Sequence, residues 1–296
     1  MVPFAGYEMP VQYPAGVLAE HNHTRAKASI FDVSHMGQVS LRGGNPAAAL
    51  EALVPGDITG LAAGRMRYTM FTNDAGGILD DLMVTNVGDY LFLVVNAACK
   101  EADIAHLRDG LPTDIALDVL NDRSLIALQG PAAAAVLSRL APGVDKMPFM
   151  TALPFEIDGS RLAVTRSGYT GEDGYEISIP SDDAVRITEI LLAEQEVELA
   201  GLGARDSLRL EAGLCLYGHD IDETTTPVEA ALLWSIAKRR REEGGFPGAD
   251  VIQKQIADGV SRKRVGILPD GKAPAREGTG ITDTDGTIIG AVTSGG

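Results

Sequence analysis

The chain reads as an α+β protein, and three observations predict this. Short β-branched and aromatic runs of strand length recur along it, glycine-rich breaks separate them, and helix-length stretches interrupt them too irregularly for a doubly wound parallel sheet. At 296 residues with 45% hydrophobic content, it can bury two or three cores, and a mean hydropathy of +0.05 is ordinary for a globular chain. No apolar run reaches the roughly 18 residues of a membrane span, and the N-terminus lacks the basic start and apolar core of a secretory signal. The expected compartment is therefore the cytoplasm, or the mitochondrial matrix if a leader has been removed.

Taken in order, residues 16–28 read as a helix leading into a strand at 31–33, then a strand at 38–41 and a helix at 46–53. Residues 66–71, 81–84 and 91–95 are strand-like, and a helix over 98–108 completes a compact α+β unit. A second run of strands and helices begins at 125–128 and includes helices over 132–140, 182–195, 203–214 and 227–237. The charge run Lys238-Arg239-Arg240-Arg241-Glu242-Glu243 before Gly244-Gly245 is the best linker candidate, read as an exposed helix end where cations suit the dipole. Residues 263–268 and 287–293 then look like strands of a small β domain. No internal repeat or low-complexity segment is present.

Composition also excludes function classes. Forty-one acidic against 25 basic residues leave a net charge of −16, a field that opposes binding to nucleic acid or anionic lipid. Cys99 and Cys215 are the only thiols, and both read as buried, reduced packing residues. No His/Cys cluster has zinc spacing, so no metal is expected.

The most informative stretch is Gly76-Gly77-Ile78-Leu79-Asp80-Asp81-Leu82-Met83-Val84. Neighbouring side chains of a strand point to opposite faces, so one carboxylate can be structural while the other faces a pocket. In isolation, a hairpin whose aspartates bond the local backbone would explain the pattern as well. Elsewhere Gly201-x-Gly203 lacks the third glycine and preceding strand of a dinucleotide fingerprint.

Other motifs follow in a set order: Phe4-Ala5-Gly6-Tyr7-Glu8-Met9-Pro10, Phe31-Asp32-Val33-Ser34-His35-Met36-Gly37, Val95-Asn96-Ala97-Ala98 and Gly168-Tyr169-Thr170-Gly171-Glu172-Asp173-Gly174-Tyr175-Glu176. Gly201-Leu202-Gly203-Ala204-Arg205-Asp206, Leu210-Glu211-Ala212-Gly213 and Tyr217-Gly218-His219-Asp220-Ile221-Asp222-Glu223 complete them. Together they closely resemble the aminomethyltransferase, or T-protein, family of the glycine cleavage system over essentially the whole chain. The resemblance implies a three-domain cloverleaf around a central folate site. It assigns residues 1–39 plus 119–237 to a discontinuous folate-binding domain, 40–118 to an inserted α+β domain, 238–255 to a linker and 256–296 to a C-terminal β-barrel domain that looks incomplete. Relatives carry a short helix ahead of Met1 and further barrel strands, with a folate-site tyrosine, beyond Gly295, so the chain reads as shortened at both ends.

Carried over residue by residue, the resemblance makes Asp81 the catalytic carboxylate. It would accept the N10–H of tetrahydrofolate and favour the positive charge that develops there. Asp80 is then structural. Glu176 and Arg205 match folate-binding positions, and Tyr68, Asn96 and Tyr169 match residues lining the cavity. Arg209, one turn from Arg205, is expected to share its face or pair with Asp206 or Glu211. The implied reaction converts aminomethyl-lipoyl H-protein and tetrahydrofolate to methylenetetrahydrofolate, ammonia and dihydrolipoyl H-protein. It needs no metal and implies no nucleic-acid or membrane partner. Two rivals share the scaffold: a folate-dependent demethylase, disfavoured by Asp81 and the complete GLGARD and YGxDIDE segments, and a noncatalytic folate-binding protein. The latter carries cysteine in a K-G-C-Y-x-G motif, where this chain has Gly168.

Overall fold

Strand pairing, which satisfies backbone donors and acceptors only when neighbouring strands are present, divides the chain into two principal sheets. The structure is a computed structural model describing residues 1–271 and 273–296. A hairpin of β1 (Val2–Phe4) and β2 (Tyr7–Met9) precedes α1 (Val17–Ala26), β3 (Ala28–Asp32), β4 (Gly37–Arg42) and α2 (Pro46–Glu51). Next come β5 (Met66–Thr72), β6 (Ile78–Asn86), β7 (Leu91–Val95), α3 (Lys100–Gly110) and β8 (Ala116–Val119). Then follow β9 (Arg123–Gln129), α4 (Ala133–Leu140), β10 (Ala152–Ile157), β11 (Ser160–Thr165), β12 (Gly174–Pro180), α5 (Ala184–Leu192), β13 (Val197–Leu199) and α6 (Leu202–Glu211). Two short helices, α7 (Lys238–Glu243) and α8 (Ala249–Asp258), lead to a hairpin of β14 (Gly280–Thr282) and β15 (Ile288–Ala291).

The six-stranded sheet has the order β10-β11-β12-β9-β3-β13, and the five-stranded sheet β5-β6-β7-β4-β8. Neighbours are antiparallel except β13 and β3, which the α1-linked chain brings side by side in parallel. The five-stranded sheet comes from one continuous stretch, whereas the six-stranded sheet takes β3 from before it and β9 onward from after it. Each sheet covers its outer face with helices. Val136 and Leu137 of α4 and Ile187 and Leu191 of α5 bury against Leu128, Val164 and Ile177. Ile104 and Leu107 of α3 bury against Val39, Leu82, Val84 and Leu93. The inner faces meet through Phe31, Val33, Phe92, Val94, Leu125 and Ala127, with Ala204 and Leu208 of α6. Each fully buried side chain of this kind contributes about 1.5–3 kcal/mol, so this seam holds the two sheets in one relative orientation.

Four expectations are corrected. Residues 227–237 form turns with one 3-10 turn at Leu233–Ser235, not a helix. Thr226 and Glu229 exchange side-chain-to-backbone hydrogen bonds of 2.9 and 3.2 Å, a sound helix start. The left-handed backbone of Ala231 (φ 59°) then stops propagation, and Arg241 donates to the carbonyls of Leu233 and Ile236. Residues 263–268 have strand composition but are not a strand. Arg264 N donates to Glu229 O and its guanidinium to Ala230 and Gly213 carbonyls, so no ladder partner runs alongside. The charge run is helical, and Arg240 is not solvated: it is 5% exposed and donates to the carbonyls of Glu51 and Val54. Cys99 is only half-buried, unlike Cys215.

Candidate functional site

The turn ahead of β6 has little choice of residue. Gly76 has φ 82°, and a Cβ on Gly77 would lie 1.8 Å from the carbonyl oxygen of Glu223. That contact lets Ile78 N donate to the carbonyls of Asp222 and Thr225 at 3.0 and 3.1 Å, tying the strand to the loop after α6. From this anchored start, alternation along β6 puts Asp80, 0% exposed, on the α3 side and half-buried Asp81 on the side facing the six-stranded sheet.

Asn96, just past β7, clasps both acids. Its Nδ2 donates to Asp81 Oδ1 at 2.8 Å, to the Asp81 carbonyl at 3.0 Å and to Asp80 Oδ1 at 2.9 Å, while its backbone N donates to Asp80 Oδ2 at 3.1 Å. The Tyr68 hydroxyl lies beside the Asp81 carboxylate from β5 and holds its pKa down. The Tyr68 ring stacks on Trp234, with centroids 5.4 Å apart and planes 23° from parallel. Burial, then the negative charge of Asp80, pushes the Asp81 carboxyl up to about 7 against the pull of Tyr68 and Asn96.

The opposite wall comes from the six-stranded sheet and α6. Glu176 lies on β12 beside Thr165 of β11 and Ala127 of β9, and lines a cavity between the sheets with Met66, Phe92, Leu125 and Thr165. Ser167 Oγ donates to its Oε2 at 3.3 Å. Burial raises the Glu176 carboxyl, while the Arg205 charge and Ser167 hold it down. Arg205, three residues into α6, sets its guanidinium 4.7 Å from the Tyr169 ring centroid, and burial lowers its pKa. Its buried Nη1 has no hydrogen-bond partner among the described residues. The Tyr169 hydroxyl donates to the Cys215 carbonyl, and burial raises its pKa while the charges of Arg205 and Asp81 act on it from either side. Tyr169 is therefore the link between the two walls.

Of the six residues singled out from the sequence, Asn96 and Tyr68 gather at Asp81 on one side and Tyr169 and Glu176 gather at Arg205 on the other, with Glu176 and Arg205 lining separate small cavities. Arg209 does not join them. It is 3% exposed and spent on Asp206 and Asp220, each at 2.8 Å, and on Ser294 at 2.9 Å. His35, from the Phe31–Gly37 motif, is buried against the rings of Phe4 and Tyr7, and its pKa falls to about 4 through burial and the nearby Arg205 charge. Trp234 was not anticipated. It is the sole tryptophan and 65% exposed, and that singularity was the available signal. Among the described residues, no cluster of three or more His, Cys, Asp or Glu has metal-binding geometry.

Comparison with known proteins gives consistent results. The model of the GCVT N-terminal domain family matches residues 1–240. The mitochondrial aminomethyltransferase of Dictyostelium discoideum is 52% identical, covering all of this chain and 77% of the relative. That of Homo sapiens is 51% identical, covering all of this chain and 75% of the relative. The crystal structure of the glycine cleavage system aminomethyltransferase T from Bartonella henselae superposes with a TM-score of 0.94 at 45% identity, over all of this chain and 81% of that one.

Proposed function

This chain belongs to the aminomethyltransferase family of the glycine cleavage system, and from that membership we propose that the inter-sheet cavity takes tetrahydrofolate and that Asp81 is its catalytic residue. The activity is that of a transferase: the aminomethyl group carried on the lipoyl sulfur of H-protein passes to tetrahydrofolate, giving methylenetetrahydrofolate, ammonia and dihydrolipoyl H-protein. The observation that carries this reading is Arg205, which lines a neighbouring cavity with Phe31, Asp32 and Gly201 and whose charge bears on Glu176. A half-buried Arg205 whose buried Nη1 has no partner among the described residues, beside a half-buried Glu176, leaves hydrogen-bonding capacity that a polar heterocycle can use.

Each wall has its task. Asp81, held by Asn96 with Tyr68 beside it, presents a carboxylate to the reacting nitrogen, accepts its N–H and offsets positive charge as the new C–N bond forms. Glu176 and Arg205 fix the ring, and the Tyr68–Trp234 stack supplies a flat apolar flank. Against the noncatalytic reading stands Gly168. A Cβ there would lie 1.8 Å from Gln129 Oε1, and Gln129 is pinned by hydrogen bonds of 2.9 Å with Ser167 O and Thr170 Oγ1. A cysteine at 168 does not fit this packing.

The domain division follows the same reading: 40–118 inserted into a folate-binding domain of 1–39 plus 119–237, with 256–296 beginning a β-barrel domain. No helix among the described residues is long and apolar enough to cross a membrane. The compartment proposed is the mitochondrial matrix in a eukaryote, as for the named relatives, or the cytoplasm in a bacterium. Crystals soaked with tetrahydrofolate test the reading directly. Density bounded by Asp81, Glu176 and Arg205 is expected; density elsewhere, or none alongside null calorimetry, overturns it.

A further inference from the structure

Behind Asp81, on the α3 side of β6, lies a second acid pair that the transfer reaction does not touch. Asp80, 0% exposed, and Asp103 of α3, 3% exposed, are both buried where α3 packs on the five-stranded sheet, close enough for the Asp80 carboxyl to act on that of Asp103. Asp80 accepts from Asn96 N and Nδ2 at 3.1 and 2.9 Å, and the Cys99 thiol lies nearby. Asp103 Oδ2 is buried without a donor. Among the described residues neither acid has an ion pair. The other titratable groups around them are Asp81 across the strand, Cys99 ahead of α3 and Tyr217 from the loop after α6, all acids. Basic groups on α3 are directed elsewhere: Lys100 Nζ bonds the Tyr7 hydroxyl at 2.8 Å, and the His106 ring, whose pKa burial lowers, meets Phe71 edge to face.

Two anions in contact inside a protein, with no cation to offset them, cost far more than one proton between them. We propose that Asp80 and Asp103 share a single proton, Asp103 donating to Asp80, and that this acid–carboxylate pair positions Asn96 and through it Asp81. The proposal rests on the reading of Asp81 given above. Within the pair the two N–H donors of Asn96 point at Asp80 while Asp103 Oδ2 has no donor, which places the shared proton on the Asp103 side. Burial and the Asp80 contact together push Asp103 up to about 10, and the retained Asp80 charge is what lifts Asp81 beyond the effect of burial. Asp80 is thus a positioning residue that also sets where Asp81 titrates.

Infrared spectra of the 296-residue chain test this without folate or H-protein. At about pH 8.5, where an Asp81 carboxyl titrating near neutrality is ionised, the wild type should still show the carbonyl stretch of a protonated carboxylic acid. Asp103→Asn, which can donate an N–H where the acid donated its O–H, should lose that band. If that variant does not fold, Asp103→Ser supplies a smaller donor for the same comparison. Asp80→Asn should lower the Asp81 midpoint by about one pH unit or more, a tenfold change in proton affinity, read by difference against Asp81→Asn. Absence of the band in wild type, its survival in Asp103→Asn, or an unmoved midpoint in Asp80→Asn overturns the proposal. Failure of tetrahydrofolate to bind would sink the reading of Asp81 and leave these spectra standing.

Discussion

The wall that holds Asp81 and the wall that holds Arg205 treat hydrogen bonding in opposite ways. On the first, Asn96 donates to the Asp81 carboxylate with the Tyr68 hydroxyl beside it, and Asn96 is itself braced by Asp80. On the second, Arg205 keeps a buried Nη1 without a partner, and Glu176 has only a 3.3 Å bond from Ser167. A group already held by its own protein is suited to chemistry, because little reorganisation is needed as charge develops. Groups left short of partners gain most from a ligand. On the proposed reading, one wall reacts and the other binds.

The sharpest break of that comparison is Asp81→Asn. Nearly isosteric, it should keep tetrahydrofolate affinity within a few-fold but slow transfer from loaded H-protein by about 10²–10⁴ in single-turnover measurements. A matching loss of affinity would mean that both walls bind. Glu176→Ala is the converse: calorimetry should show tetrahydrofolate binding weaker by about 1.5–3 kcal/mol, with the rate at saturating folate little changed. If its loss fell on the rate instead, the division between walls would fail.

A third test needs no ligand. Because the folded-state pKa of Asp81 is raised to about 7, the native protein holds a proton there that the unfolded chain releases near pH 4. This contribution to stability is present below the unfolded carboxylate value and is lost as pH rises through about 7. Asp81→Asn should therefore be more stable than wild type at pH 8 by about 1–3 kcal/mol, and equal to it near pH 4; chemical denaturation at the two pH values decides. Smallest is Tyr68→Phe. Its hydroxyl lowers the Asp81 pKa, so removing it should move the pH dependence of transfer alkaline by about one unit, the worth of about 1.4 kcal/mol. A shift toward acid would show that Tyr68 does not hold the Asp81 pKa down.

Much of this was legible in local sequence. The alternation of β6 separated Asp80 from Asp81, Gly76-Gly77 marked the turn before it, and the strand at 91–95 and helix at 203–214 lie where the residues place them. Where expectation failed, long-range contacts were responsible. Residues 263–268 have strand composition but no neighbour to pair with, and Arg240 is drawn inward by carbonyls of Glu51 and Val54 nearly two hundred residues away. Trp234 carries no spacing signal, because its stacking partner lies on β5.

Residue by residue, the sequence determined the α+β class and, through the order of its motifs, the family, since strand periodicity, turn glycines and motif order are properties of neighbours along the chain. Tertiary structure decided what each does electrically. That Asp80 acts on Asp103, that Asp81 is lifted toward neutrality, that Arg209 is consumed by Asp220 while Arg205 stays open depends on burial and on charges brought together from distant segments. Coulomb and desolvation energies follow distance in space and exclusion of water, and neither is written along the chain.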